Sequence, residues 1–302
     1  MGIPQKIFTL TGNLLAERTL VYADWAIGRT QRAVSETFNT RGKGVNVSNM
    51  LARLGTPSMA VLFAGGASGA ESKGWLQQRG IAYKAFTTLA PSRTGTVIWS
   101  DKQSETTFLG PDSPPDAAAV QACADYLDAQ PDGQVLALSG SFPGWQAPHF
   151  LVLHEAIERW GQRGRLMADV YGPPLLTLTH KPVELVKINQ QEFDAMFPAH
   201  SSGQSMPDRL PAVQRKSAVK NWVISNGGES VWIQAAGQPT LELHPPTIRE
   251  VSPTGSGDVF FACILHALVM QGTNLIDAVK FAMPFAAANA AHPGVADFEL
   301  PA

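Results

Sequence analysis

Short apolar runs alternate along the chain with longer stretches whose apolar residues recur every three or four positions. The runs are Ile7 to Thr11, Ala60 to Phe63, Val135 to Ser139, Leu166 to Val170, Leu185 to Asn189 and Trp222 to Ser225. Their length and near-continuous apolarity predict strands buried on both faces. Ala117 to Ala129, His149 to Gly161 and Ala278 to Ala291 carry helical periodicity. Val47, Met50, Leu51 and Leu54 fall at i, i+3, i+4 and i+7, and Gly55 sits where a C-terminal cap belongs. Such alternation predicts an α/β fold: a largely parallel sheet with helices on both faces and ligands at the carboxyl ends of its strands.

Two stretches break the pattern. Glu17 to Thr40 and Tyr83 to Phe108 are richer in Thr, Val and aromatic residues, with period-two patterning. Within the second, Thr96 to Trp99 and Glu105 to Phe108, separated by Asp101-Lys102, predict a hairpin. Ala199 to Asp208, rich in Ser, Gly and Pro, reads as a mobile loop. Val259 to Met270 is the most apolar run. It is too short to span a bilayer and reads as a helix buried on all sides.

Composition narrows the class. With 302 residues and 44% hydrophobic content the chain suits one large α/β domain. A net charge of −2 gives no basic footprint for nucleic acid or acidic membranes. Cys123 and Cys263 lie in apolar helical stretches and read as core residues of a reduced, cytoplasmic protein. Met1 to Leu10 lacks the pattern of a secretory signal, and the seven histidines have no metal-ligand spacing.

The chemistry is concentrated in two glycine motifs. Pro253-Thr254-Gly255-Ser256-Gly257-Asp258 runs directly into the Val259 to Met270 helix. A helix start offers unpaired N–H groups and the positive end of the helix dipole, and glycines let a phosphate approach closely. Asp258 places a carboxylate beside that anion, where it can take a proton from an attacking hydroxyl. The helix field is expected to keep it ionised at neutral pH. The plain alternative is a turn in which Asp258 merely stabilises a helix start. The second motif, Arg41-Gly42-Lys43-Gly44-Val45-Asn46-Val47, opens the helix that carries Val47 to Leu54. It is neither Walker A, because Gly44 follows Lys43, nor a dinucleotide fingerprint, because Val47 stands at the third glycine position.

In this order, the two motifs resemble the signatures of the ribokinase-like sugar kinases, also called the phosphofructokinase B family, over nearly the whole chain. The resemblance implies a three-layer α/β/α domain over residues 1–302 with a small discontinuous β lid from about 12–40 and 83–110. It implies ATP and Mg²⁺ as cofactors, a small-molecule sugar substrate and a homodimer formed through the lid. The base is then Asp258, with the amides of Gly255, Ser256 and Gly257 holding the transferring phosphoryl group. Asn189-Gln190-Gln191-Glu192 matches the family's Asn-x-x-Glu element, so Asn189 and Glu192 organise Mg²⁺, largely through water. A helix cap at Asn189 is the plain alternative. Lys187, Ser225, Gly227, Gly228, Thr254 and Asn289 fall on the nucleotide side of the same pattern.

Thr11 to Thr19 lines up with a Thr-Leu-Asn-Pro-Ala-Leu-Asp-Arg-Thr pattern of the phosphofructokinase and tagatose-phosphate kinase branch. The resemblance gives Glu17, Gly42, Lys43, Asn46, Arg93 and Ser141 to the substrate, with Arg93 and Lys43 gripping its existing phosphate. The chain departs from the pattern at Glu17 for Asp, Leu14 for Pro, Arg41 for Gly and Ile188 for Pro. The implied reaction is ATP-dependent phosphorylation of a hydroxyl on a sugar phosphate of the fructose 1-phosphate, fructose 6-phosphate or tagatose 6-phosphate type. A kinase of an unphosphorylated sugar or nucleoside, and a non-catalytic sugar-phosphate sensor, are the alternatives.

Overall fold

The fold is taken from a computed structural model that describes residues 5–100, 102–198 and 204–301. The chain opens with β1 (Ile7–Thr11), β2 (Leu15–Val21) and β3 (Ser35–Arg41), then α1 (Lys43–Arg53), β4 (Ser58–Ala64) and α2 (Gly66–Gln78). β5 (Tyr83–Thr87), β6 (Arg93–Ser100), β7 (Gln103–Leu109), α3 (Ala117–Asp128) and β8 (Val135–Ser139) follow. Next come α4 (Leu151–Arg163), β9 (Arg165–Asp169), α5 (Pro173–Leu178), β10 (Leu185–Asn189), α6 (Gln190–Met196) and α7 (Met206–Arg215). The chain ends through β11 (Asn221–Asn226), β12 (Ser230–Gln234), β13 (Leu241–Leu243), α8 (Ser256–Met270) and α9 (Leu275–Ala290).

Among the described residues a large sheet runs in the order β13-β12-β11-β10-β9-β8-β1-β4-β5. Its pairings are parallel from β5 to β11 and antiparallel at β12 and β13. The strands are apolar on both faces, as the continuous runs demand. Leu136 and Leu138 pack with α3 and α4 on one side, while Val135 and Ala137 pack with α1, α8 and α9 on the other. α8 is held between α1 and α9, and its residues from Asp258 to Leu265 are all buried. Its last turn opens outward, so Met270 is exposed and the helix is not buried on every side.

A second sheet, ordered β3-β2-β6-β7, stands at the carboxyl edge of the first. It contains the expected hairpin; Asp101, expected between the two strands, lies outside the described residues. β5 corrects the expected extent of the small sheet. Tyr83 to Thr87 pairs in parallel with β4 and extends the large sheet instead. The segment expected as a loop over Ala199 to Asp208 is corrected in part: Ser205 caps α7, which begins at Met206, while residues 199–203 lie outside the described residues. Both cysteines are unpaired and buried, and burial pushes their thiols well above the usual range. No helix among the described residues is long and apolar enough to cross a membrane.

Candidate active site

α8 starts on Gly255, whose left-handed φ of 74° makes the turn. A Cβ at this position would lie 2.3 Å from Val295 Cγ1, so both the backbone angle and the space require glycine. The turn is closed by the Ser256 N–H, which donates to the Pro253 carbonyl at 3.2 Å. That corrects the expectation for Ser256, because its amide is already taken. The amides of Gly255 and Gly257 have no partner among the described residues and remain, with the positive end of the helix, for an anion.

Asp258 sits in the first turn of α8, buried, and its Oδ2 accepts from Asn46 Nδ2 of α1 at 2.7 Å. Burial pushes its carboxyl up to about 6; Lys43 pulls the other way, Asp169 adds to the rise, and the Asn46 hydrogen bond lowers it. With its carboxyl near 6 the group is still mainly ionised at neutral pH, although desolvation, the largest influence on it, works against the charge.

A polar row crosses the carboxyl ends of the central strands. Thr11, Ser139 and Asp169 are in register on β1, β8 and β9, and Lys187 of β10 stands beside them. In-register neighbours share a face, and this one turns toward α1 and α8. Asp169 accepts from Lys43 Nζ at 2.8 Å and from Lys187 Nζ at 2.9 Å. Burial opposes its charge, but the two ammonium groups hold its carboxyl below the usual range. For Lys43 burial likewise opposes ionisation, yet Asp169, Glu192 and Asp258 hold it above the usual lysine range. Asp169 is the member of the candidate site that sequence reasoning missed. Its only local signal is a lone carboxylate ending an apolar strand.

Asn189 and Glu192 form a reciprocal capping box at the start of α6. Asn189 Oδ1 accepts from the Glu192 N–H at 2.8 Å, and Glu192 Oε2 accepts from the Asn189 N–H at 3.0 Å. Glu192 Oε1 also accepts from Lys43 Nζ at 3.2 Å. The plain reading of Asn189 as a helix cap is thus correct in geometry. Among the described residues no group of three His, Cys, Asp or Glu side chains could hold a metal. The engaged oxygens of Asn189 and Glu192 fit Mg²⁺ only as partners of its waters, which suits an ion that keeps several waters and binds phosphates.

Two cavities meet at Lys43, which lines both. The smaller, about 240 Å³, lies between the small sheet and the carboxyl edge of the large one, and Glu17, Gly42, Asn46, Arg93 and Ser141 line it. The larger, about 640 Å³, is lined by Lys187, Asn189, Glu192, Ser225, Gly227 and Gly228, and by Gly255, Ser256, Gly257 and Asp258. An apolar wall from Ile248, Met283, Ala286 and Ala290 completes it.

Two expectations change here. Thr254 lines the smaller cavity, not the larger. Asn289 is fully buried and lines neither. Its Nδ2 donates to the Thr254 carbonyl and to Ser256 Oγ, both at 3.0 Å, and its Oδ1 accepts from the Ala296 N–H at 2.8 Å. Asn289 thereby ties the start of α8 to the segment after α9.

In the smaller cavity, Arg41 Nε donates to Glu17 Oε1 at 3.1 Å. Arg41 and Arg93 occupy matching positions on either side of Leu15, on β3 and β6 respectively. Both therefore rise from the face of the small sheet that covers the cavity. Ser252 and Thr254 hydroxyls donate to Glu105 of β7 at 3.1 and 3.0 Å, tying the small sheet to the loop before α8. Two groups on the lining, Asn13 Oδ1 and Ser139 Oγ, are buried without a hydrogen-bond partner, as is Arg93 Nε. Buried polar atoms of this kind are seldom left unpaired, so a polar ligand is the occupant they suit.

Comparison with known proteins bears on the family and the fold. The model of the family described as "pfkB family carbohydrate kinase" matches residues 16–302. The chain is similar to the 1-phosphofructokinase of Borreliella burgdorferi, 25% identical over 97% of this chain and 94% of that one. It is also similar to the D-tagatose-1-phosphate kinase of Bacillus licheniformis, 29% identical over 63% and 62% of the two chains. In fold it resembles phosphofructokinase-2 from Escherichia coli in complex with fructose-6-phosphate, with a TM-score of 0.83 at 20% identity, covering 95% and 94% of the chains.

Proposed function

We propose that the chain, which belongs to the pfkB family of carbohydrate kinases, transfers the γ-phosphoryl group of ATP to a hydroxyl of a phosphorylated ketose. The carrying observation is the Asp258–Asn46 contact at the junction of the two cavities. A sugar hydroxyl in the smaller cavity and a triphosphate in the larger would meet at this carboxylate. The hydroxyl oxygen forms a bond to the γ-phosphorus, Asp258 receives the proton, and the bond to the bridging oxygen of ADP breaks. The free amides of Gly255 and Gly257 and the ammonium groups of Lys43 and Lys187 suit the phosphoryl oxygens. Mg²⁺, when bound, supplies charge neutralisation on the phosphates; Glu192 and Asn189 would hold its waters.

The buried, unpaired Nε–H of Arg93 supports an anionic group on the substrate, and the unpaired Asn13 Oδ1 suits a sugar hydroxyl beside it. One observation favours an unphosphorylated sugar or nucleoside instead: Arg93 Nη1 already donates to Asp112 at 3.1 Å. ATP consumption with Mg²⁺ across free sugars, nucleosides and ketose phosphates decides between them. Turnover confined to ketose phosphates is expected. Turnover on free sugars alone would keep the reaction and reject phosphate recognition, and ligand binding without turnover would make the chain a sensor.

We also infer a homodimer in the cytoplasm. Phe108 and Leu109, 55% and 54% exposed, lie on the edge strand β7 of the small sheet, and an apolar edge of this kind suits pairing with a second copy. Sedimentation of the wild type and of Phe108→Glu tests this. A wild-type monomer rejects it.

A further inference from the structure

The loop after β7 carries a residue that none of the kinase chemistry uses. Asp112 Oδ1 accepts from Asn13 Nδ2 at 2.8 Å and from Arg93 Nη1 at 3.1 Å. Asn13 also donates to Ser141 Oγ at 3.2 Å. Arg93, Asn13 and Ser141 line the smaller cavity, whereas Asp112 does not. Its carboxylate reaches these groups from the solvent side, and its side chain is 59% exposed against 15% for Arg93. One carboxylate oxygen takes both hydrogen bonds, and the guanidinium is left with a buried Nε that nothing fills.

This is an incomplete match. A guanidinium binds best when two of its N–H groups meet two oxygens of one anion. A phosphate monoester has three such oxygens and a charge near −2, enough to engage Arg93 Nη1 and Nε together with Asn13 Nδ2. A single carboxylate oxygen at Nη1 leaves the fork half used.

The backbone beside Asp112 is fixed. The Gly110 N–H donates to the Thr94 carbonyl at 2.8 Å, and Ser113 Oγ donates to the Pro91 carbonyl at 2.7 Å. Rotation of the Asp112 side chain alone would carry its carboxylate into solvent, with no movement of the loop.

We propose that Asp112 is a specificity-determining residue that competes with the phosphate of the substrate for Arg93 and Asn13. This rests on the reading of the chain as a sugar-phosphate kinase. A phosphate monoester displaces the carboxylate because it offers the same two donors more oxygens and more charge. A neutral sugar offers no anion in exchange and leaves the ion pair standing. The pair therefore weakens binding of the phosphorylated substrate by its own strength and keeps the guanidinium neutralised against other ligands.

The test compares wild type, Asp112→Ala, Asp112→Asn and Arg93→Ala on fructose 1-phosphate and tagatose 6-phosphate. Inorganic phosphate serves as a competing ligand, read both by inhibition and by the shift in melting temperature it causes. Removal of the competitor is expected to lower KM for the phosphosugar, and the concentration of inorganic phosphate needed for half its effect, by about fivefold, the upper range for a partly exposed ion pair. Asp112→Asn follows Asp112→Ala, since charge is the competing property. Combining Asp112→Ala with Arg93→Ala brings no gain over Arg93→Ala alone. If Arg93→Ala raises KM while Asp112→Ala leaves it unchanged or raises it, Asp112 orients the arginine and the competition is overturned. If Arg93→Ala leaves KM unchanged, phosphate recognition itself is wrong and the competition falls with it.

Discussion

Arg41 and Glu17 form a buried ion pair, Nε to Oε1 at 3.1 Å, with side chains 9% and 10% exposed at the wall of the smaller cavity. Both positions depart from the family pattern, and the structure joins the departures: the longer carboxylate meets a guanidinium where the pattern has a glycine. Arg41 Nη1 reaches on toward the Val295 carbonyl at 3.5 Å, spanning from the small sheet to the segment after α9.

Removing one partner of this pair strands the other. Arg41→Ala is expected to cost about 3–5 kcal/mol, the usual penalty for an uncompensated buried charge. The double variant Arg41→Met with Glu17→Gln should recover much of that loss. Urea denaturation of wild type, Arg41→Ala and the double variant measures both effects; equal stability of Arg41→Ala and wild type would show that the pair carries no energy.

The carboxyl of Asp258, raised to about 6 chiefly by burial, predicts a pH profile. A base works only when ionised, so kcat/KM should rise with pH and level off above an apparent pKa near 6. Asp258→Asn should cut turnover by at least about 10²-fold and leave nucleotide affinity nearly unchanged. Near-normal turnover in this variant removes Asp258 as the base.

The same shift has a cost in stability, and its sign follows from proton binding. The folded form holds the Asp258 proton more tightly than the unfolded chain, whose carboxyl titrates near 3.8. This group's contribution to stability is present below pH 4 and is lost as pH rises through about 6. The total is about 3 kcal/mol for a shift of roughly two pH units. Asp258→Asn lacks the titration. Its stability relative to wild type should therefore grow between pH 4 and 7, and a difference that stays flat across that range would contradict the shift.

Two glycines of one motif should fail differently. Gly255→Ala meets the left-handed turn and Val295 together, so it should lower the melting temperature and abolish activity. Gly257→Ala keeps a helical backbone and meets only Lys187 Nζ, at 2.8 Å, so the strain falls on the Lys187–Asp169 ion pair at the wall of the larger cavity. Its fold should survive while ATP affinity drops. Thermal denaturation with and without ATP separates the two cases, and equal melting of both variants would refute the distinction.

What the chain announces in advance is what local pattern determines. β1, β8 and β10 match their expected limits residue for residue because strands buried on both faces are unbroken apolar runs. The two glycine motifs stood out because close backbone approach leaves few residue choices. Asp169 was invisible for the opposite reason: its meaning comes from Lys43, 126 positions away, and from Lys187 on the neighbouring strand. Asn289 looked like a nucleotide contact from its place in the family order, yet its hydrogen bonds turn inward to Thr254, Ser256 and Ala296. β5 was assigned to the wrong sheet because period-two patterning marks a strand without naming its neighbour.

The hydrogen bond between Asn46 and Asp258 closes a separation of 212 positions. During synthesis the N-terminal part of the smaller cavity emerges first, while Asp258, and the walls at Thr254 and Val295, follow about 200 residues later. A nascent chain on the ribosome therefore holds only part of this cavity's lining until Asp258 and Val295 have been made. The most apolar helix, α8, also leaves the exit tunnel late, when α1 and the central strands against which it packs have already been made. The order of the elements thus shortens the interval in which its greasy surface faces water unpartnered.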